Sequence, residues 1–257
     1  MNRPIFGLTL LFFSSCSTPD RSPPIVTPNH RLTAAEPSSR PENKLSYVIR
    51  DYCGWTVHIR SELLQPDKKI KTEKDLIMII LQLENVIRVV PSVAVEELKK
   101  IPFWISPAYA GVLGHAEYHL SEFWLRLHQR DIAMCKSIEF TNLKTLTQDF
   151  HRVPMFVLHE LAHGYHERVL GIDQPDILAC YNRARTNKSY DKVARKDAQG
   201  KLSPGVKSYA MTNPLEFFAE TSEAFFGENE FYPFNRTDLE QHDPETVAML
   251  KKVWHVE

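Results

Sequence analysis

The sequence predicts an α+β domain over residues 45–257, with a mixed sheet and several helices. Three observations predict this class. Short runs of strand-like residues occur before position 141, segments with helical periodicity lie between and after them, and two of the later helical segments carry His or Glu at helical spacing. A chain of 257 residues is long enough for one such domain and an N-terminal extension.

The first 16 residues have the features of an export signal. Asn2 and Arg3 make a short basic start, residues 5–13 are mostly apolar, and two small residues precede Cys16. The apolar run is too short to span a bilayer comfortably. We therefore expect the protein to act outside the cytoplasm.

The segment FSSC, which ends at Cys16, resembles the lipobox of bacterial lipoproteins, in which the cysteine becomes lipidated. It departs from that pattern at Phe13, where leucine is usual. Two alternatives stay open: membrane attachment through a lipidated Cys16, or plain secretion. Residues 17–44 are rich in Pro, Ser, Thr and charge, which predicts a disordered linker.

Composition limits the partners of the chain. The net charge of −1 gives no electrostatic footprint for nucleic acid. Cys53, Cys135 and Cys180 allow at most one internal disulfide in an oxidising compartment, and the sequence does not say which pair would form it. We expect a monomer.

The elements of the domain follow in chain order. Strands are predicted at 46–50 and 55–60 with a turn at Cys53-Gly54, followed by a helix at 72–90 with Thr72 as its N-cap and a shorter helix at 93–100. A strand at 101–106 would lie at an edge or begin near Pro102, and the alternation over 137–141 predicts a half-buried strand. Later helices are predicted at 176–185 and 244–254, whereas 190–198 is ambiguous.

The segment VLHELAH at 157–163 has the H-E-x-x-H pattern of zinc peptidases. His159 and His163 are four residues apart, so both rings can reach one metal ion from the same helix face, and Glu160 is placed to accept a proton from water. Pro154 suits a first helical turn, and His166 lies on the same stripe as the other two histidines. Apolar residues form an adjacent stripe: Leu158, Leu161, Ala162, Tyr165 and Val169. An ordinary surface helix can carry this spacing by chance.

A second pair of histidines has the same spacing without the same chemistry. Ala116 follows His115, and Glu117 is out of position for a base between His115 and His119. This pair is interpreted as loop or strand-edge residues.

The third ligand of the metal is expected from a second helix. Val169 stands where one class of these enzymes has a third histidine, so that class is excluded. Residues 208–227 begin a helix at Asn213-Pro214, and Glu216, Glu220 and Glu223 share one face of it. The rest of its surface is mostly apolar, and buried carboxylates are costly unless they are paired or bind a metal. Glu216 is the predicted ligand, Glu220 is predicted to hydrogen-bond a ligand imidazole, and Glu223 is assigned to solvent.

HELAH together with YAMTNPLEFFAE resembles the catalytic domain of anthrax lethal factor and related bacterial zincins, over residues 153–226. The positions that match the downstream motif of the family are Tyr209, Thr212, Asn213, Glu216, Phe217, Phe218, Ala219 and Glu220. The resemblance implies that His159, His163 and Glu216 bind one Zn²⁺ and that Glu160 is the general base. It further implies that Tyr209 donates a hydrogen bond to the oxyanion of a tetrahedral intermediate.

These patterns favour an exported zinc endopeptidase with a zincin-like fold and a peptide or protein substrate. In zincins the strand before the metal helix is the sheet edge that pairs with an extended substrate, and residues 137–141 are the expected counterpart. Two rivals remain. One is an inactive peptide- or cell-wall-binding module on the same fold, and the other is a structural metal protein, although structural zinc sites are usually rich in cysteine.

Overall fold

A five-stranded mixed sheet is the centre of the computed structural model, which describes residues 45–112, 114–143, 150 and 153–257. The strands lie in the order β1-β2-β3-β5-β4. They are β1 (Tyr47–Tyr52), β2 (Trp55–Arg60), β3 (Phe103–Ser106), β4 (Ala116–Tyr118) and β5 (Ile138–Thr141). Strands β2, β3 and β5 run parallel, whereas β1 and β4 pair antiparallel at the two edges. The predicted α+β class is confirmed.

Helices follow and separate the strands. They are α1 (Lys69–Val89), α2 (Ser92–Leu98), α3 (Glu122–Leu127), α4 (Phe156–Tyr165), α5 (Pro175–Asn187), α6 (Pro214–Phe226), α7 (Arg236–His242) and α8 (Pro244–Val253). A π-helical turn, His166–Leu170, continues α4, and a two-stranded ribbon of β6 (Val193–Lys196) and β7 (Leu202–Val206) precedes α6. Among the described residues, no helix combines the length and apolarity needed to cross a bilayer.

One large apolar core joins the sheet to the helices. The side chains of Phe103 and Phe140 face this core from β3 and β5, and Leu83 of α1, Leu158 of α4 and Phe218 of α6 meet them there, all fully buried. A smaller cluster of Trp104, Leu125 and Met134 covers the other face of the sheet. Strand β5 is therefore buried on both faces.

Several predicted elements need correction. Helix α1 begins at Lys69, and Thr72 lies inside its first turn, where the hydroxyl donates to the Leu63 carbonyl at 2.9 Å. Helix α4 begins at Phe156, so Pro154 lies in the preceding turn. Val169 belongs to the π-helical turn and is 41% exposed, so it is not part of the apolar stripe.

The strand at 137–141 also differs from its prediction. All four residues of β5 are buried, because the chain between β4 and β5 packs over its second face. Strand β5 is also interior in the sheet, and β4 is the edge strand on this side. The expected sheet edge at 137–141 is therefore wrong, and β4 is the edge strand on this side of the described sheet.

The N-terminal predictions lie outside the described residues. These are the export signal at 1–16, the lipidated Cys16 and the linker at 17–44. Cys53, Cys135 and Cys180 are all free in the part of the chain that the structure describes.

Candidate metal centre

Helices α4 and α6 bring His159, His163 and Glu216 together. The Nε2 atom of His159 lies 3.2 Å from Oε2 of Glu216, and Nε2 of His163 lies 3.5 Å from the same oxygen. The ligand atoms of the three residues all lie within 4.8 Å of one another. The three predicted metal ligands therefore meet at one point.

The spacing of these atoms suits a tetrahedral zinc ion. With zinc–ligand bonds of about 2.0–2.1 Å, two corners of a tetrahedron lie about 3.3–3.4 Å apart. The two distances to Glu216 Oε2, 3.2 and 3.5 Å, bracket that value. Two imidazoles and one carboxylate are also a donor set that zinc enzymes use, so the residues present fit the ion.

The local sequence explains why Glu216 stands where it does. Asn213 caps α6, and its side-chain oxygen accepts hydrogen bonds from the backbone N–H groups of Leu215 at 2.8 Å and Glu216 at 2.9 Å. Pro214 occupies the first turn, as the sequence predicts. The carboxylate of Glu216 thus lies at the positive end of the helix dipole, which favours its charged form.

Burial and charge act in opposite directions on the ligands. Burial raises the pKa of Glu216, but the neighbouring imidazoles of His163 and His159 outweigh it, and the pKa falls far below its usual range. Burial lowers the pKa of His159, yet its hydrogen bonds with Glu216 and Glu223 raise that pKa well above its usual value. Each group thus stabilises the charge of the other.

Glu160 lies beside the ligands and touches the edge strand. Its Oε2 accepts a hydrogen bond from the backbone N–H of Tyr118 at 2.9 Å, and the residue is 7% exposed. Burial raises the pKa of Glu160, although the charges of His159 and His163 oppose this. A raised carboxylate pKa suits a group that exchanges protons near neutral pH.

The edge strand β4 presents backbone groups towards Glu160. The backbone groups of His115 and His119 bond to β5 and the residue before it: His119 N–H donates to Ser137 O at 2.9 Å, and Thr141 N–H donates to His115 O at 2.9 Å. Because alternate residues of an antiparallel strand point opposite ways, those of Ala116 and Tyr118 point to the free edge. The prediction that His115 and His119 are loop or strand-edge residues is confirmed, since they flank β4.

Close packing brings β4 to helix α4. Gly164 follows His163, and a Cβ atom at that position would lie 2.5 Å from Cδ1 of Ile101 and 3.1 Å from Cε2 of Tyr118. The Tyr118 hydroxyl donates to Glu167 Oε2 at 3.0 Å, beyond the end of α4. No sequence pattern indicates Tyr118, because its hydrogen bond to Glu160 depends on the strand order.

Tyr209 lies beside Glu216, in the short 3₁₀ turn Tyr209–Met211 before α6. Burial raises the pKa of its hydroxyl above the usual range, and the charge of Glu216 and a hydrogen bond with it add to that rise. The hydroxyl therefore stays protonated and can donate a hydrogen bond. Its neighbour Glu216 places it at the candidate metal centre.

Glu220 and Glu223 differ from their predicted roles. Oε1 of Glu223 lies 2.6 Å from Nδ1 of His159, and Glu223 is 0% exposed, so its assignment to solvent is wrong. Glu220 is also buried, at 4%, but its Oε2 has no hydrogen-bond partner among the described residues. The imidazole partner on α6 is thus Glu223 in this structure, not Glu220.

His166 is not part of the centre, although it shares the helical stripe in the sequence. Its ring is fully buried and packs edge-on against Phe218, with centroids 5.1 Å apart. Burial, with a smaller contribution from His163, lowers its pKa to about 4, so the ring is neutral. It is a core residue.

Comparison with models of protein families, with curated proteins and with solved structures gave no match to this chain.

Proposed function

We propose that this chain is a zinc-dependent peptidase with a zincin-like fold and glutamate as the third ligand. The observation that carries the proposal is the meeting of His159, His163 and Glu216 at tetrahedral spacing, with Glu160 beside them. The helix pair α4 and α6 and the mixed sheet with an antiparallel edge strand support the fold assignment.

The charge balance between α4 and α6 supports a bound cation. Glu160, Glu216 and Glu223 are all buried; Glu216 pairs with the imidazoles of His159 and His163, and Glu223 pairs with that of His159. Burying charged carboxylates is costly without a compensating cation. A divalent ion at the centre would supply that compensation.

The residues around the ligands suit peptide hydrolysis. When bound, Zn²⁺ would act as a Lewis acid and make a water molecule more acidic. Glu160 would accept the proton of that water and pass it to the leaving amine. Tyr209 would donate its hydroxyl hydrogen bond to the carbonyl oxygen as negative charge develops there.

The free edge of β4 supports an extended peptide or protein as the substrate. The N–H of Tyr118, which points to this edge, donates to Glu160, so a peptide added as a further strand along β4 would pass the site. We also propose export, with secretion or attachment through Cys16, from the signal-like residues 1–16.

Glu160→Gln tests the proposal. Zinc content is measured by elemental mass spectrometry and turnover with a fluorogenic peptide library. We expect about one zinc per chain in parent and variant, with turnover in the variant lower by roughly 10²- to 10⁴-fold.

Three results would contradict this expectation in different ways. Parental turnover in Glu160→Gln would remove Glu160 as the base. A folded parent that binds no zinc would overturn the enzyme proposal. Zinc binding without cleavage of any library member would favour the inactive peptide- or cell-wall-binding module.

A further inference from the structure

Helix α6 carries two buried acids beyond the third ligand, and both approach the same histidine. Glu220 and Glu223 follow Glu216 by four and seven residues, so the three acids share one helix face. One ligand atom from each of His159, Glu220 and Glu223 lies within 4.8 Å of the others. Only one of the two acids can take the single ring hydrogen that His159 offers on the side away from the metal.

The two ring nitrogens of His159 face different acids. Nε2 faces Glu216 at 3.2 Å, on the side that His163 shares, whereas Nδ1 faces Oε1 of Glu223 at 2.6 Å. An imidazole that binds a metal through Nε2 keeps its hydrogen on Nδ1 and donates it. Glu223 lies where it accepts that hydrogen.

Glu220 differs from Glu223 in this respect. Its Oε2 is buried and, within the described part of the chain, has no hydrogen-bond partner. It approaches Glu223 and His159 closely enough to take part in their electrostatics, since burial first and then the charge of Glu223 raise its pKa. Glu220 therefore lies next to the hydrogen-bonded pair of His159 and Glu223 but does not form part of it.

We propose that Glu223 is the positioning residue that accepts the Nδ1 hydrogen of His159 and thereby aims Nε2 at the metal. The inference rests on the proposed function, because it takes the ion to be bound by His159, His163 and Glu216. It adds that the acid seven residues after the third ligand, not the acid four residues after it, orients the first histidine.

The two histidines of the centre are then unequally supported by the protein. Nδ1 of His163 is buried and has no hydrogen-bond partner among the described residues, whereas Nδ1 of His159 has a carboxylate. A ring whose second nitrogen is fixed is pre-oriented for the metal. His159 is therefore the better organised ligand before the ion arrives.

Zinc affinity of the full chain tests the inference, with Glu220→Ala as the matched control on the same buried face. Affinity is measured by competition between the protein and a chelator for Zn²⁺. We expect Glu223→Ala to weaken zinc binding by about 10- to 100-fold, and Glu220→Ala to change it by less than about threefold. The isosteric Glu223→Gln keeps an acceptor oxygen without the charge, and we expect an intermediate loss.

A second readout separates orientation from a general loss of structure. In the zinc-loaded parent, ¹⁵N NMR of the His159 ring should show a hydrogen on Nδ1 in a strong hydrogen bond, and Glu223→Gln should weaken that bond while the other histidine signals stay in place. If Glu223→Ala does not fold, the affinity and NMR spectrum of Glu223→Gln decide the matter.

The measurements distinguish a failure of this inference from a failure of the proposed function. Parental zinc affinity in both Glu223 variants, or an equal loss in Glu220→Ala, would overturn this inference and leave the zinc site intact. A folded parent that binds no Zn²⁺ would overturn the proposed function and this inference together.

Discussion

Two groups of buried carboxylates differ in how the chain balances them: Glu139 on β5, and the acids between helices α4 and α6. Glu139 is 1% exposed and has its partners in the chain: Tyr109 donates to it at 2.7 Å, His119 lies 2.9 Å away, and the Arg130 guanidinium 3.4 Å away. The guanidinium also stacks over the ring of Tyr109 at 3.3 Å. The acid on β5 is thus balanced by the protein itself.

The cluster between α4 and α6 is balanced differently. It holds Glu160, Glu216, Glu220 and Glu223 against two imidazoles, and Glu220 keeps a buried oxygen without a partner in the described chain. The pKa values reflect the contrast. Burial raises the pKa of Glu139, but its hydrogen bond with His119 and other contacts outweigh burial and lower it to about 2, whereas the pKa of Glu220 is raised well above normal.

A buried acid is interpreted through the groups that surround it. The same residue type at the same burial is structural where the chain supplies the counter-charge, and it indicates a ligand site where the counter-charge is missing. Burial alone does not distinguish the two cases. The partners do.

The largest effect is expected from removing the charge of Glu139. Glu139→Gln leaves Arg130 as a buried cation without its carboxylate, and we expect a loss of about 3–5 kcal/mol in the free energy of unfolding. Urea denaturation measures this loss, and zinc per chain should not change.

Glu117→Gln is the matched control for that variant. Glu117 is the register partner of Glu139 on β4, but its side chain is 18% exposed and pairs with His115 at 3.1 Å. We expect a change of less than about 1 kcal/mol there. An equal loss in the two variants would show that the buried partners of Glu139 do not stabilise the fold more than the partly exposed pair at Glu117 does.

Much of the helical part of the site could be predicted from the sequence, because its signals are local. The H-E-x-x-H spacing and the Asn213-Pro214 cap lie within single helices, and the structure brings both to the centre. The predicted solvent-facing position of Glu223 is wrong, because a helix with phenylalanines on most sides does not reveal which acidic residues face a neighbouring helix. The pairing with His159 joins residues that are 64 positions apart.

The sheet was less predictable, for a related reason. The alternation at 137–141 placed Glu139 on an exposed face, but Tyr109, His119 and Arg130 cover it from segments that have no regular pattern. The order of strands in a sheet cannot be derived from alternation. The sequence therefore predicts β5 as the edge strand, whereas the structure has β4 at the edge. Both errors arise from contacts between distant segments.

A pH titration of stability tests whether Glu139 is charged in the folded protein. The pKa of Glu139 is about 2 in the folded state against 4.5 for an unperturbed glutamate, so its contribution is complete above pH 4.5 and is lost as the pH falls towards 2. That difference corresponds to about 3 kcal/mol. We expect the metal-free parent to lose this amount over that interval relative to Glu139→Gln, as measured by denaturation at each pH. Parallel curves for the two proteins would contradict the assigned charge of Glu139.

Zinc removal is expected to have the smallest effect, and it tests whether the two clusters are independent. With free Zn²⁺ at 100 times its dissociation constant, chelation should lower the free energy of unfolding by about 2.7 kcal/mol. The loss should be the same in the parent and in Glu139→Gln, and nearly absent in Glu216→Ala.

Equal losses are expected because, within the described residues, the side chains of the two clusters form no hydrogen bond or ion pair with each other. The clusters approach each other through β4, where Tyr118 bonds to Glu160 and the next residue, His119, bonds to Glu139. Effects at separate sites usually add to within about 0.3–0.5 kcal/mol. A larger difference between the two losses would mean that β4 transmits the state of one cluster to the other, and the structural acid on β5 would then also act on the metal centre.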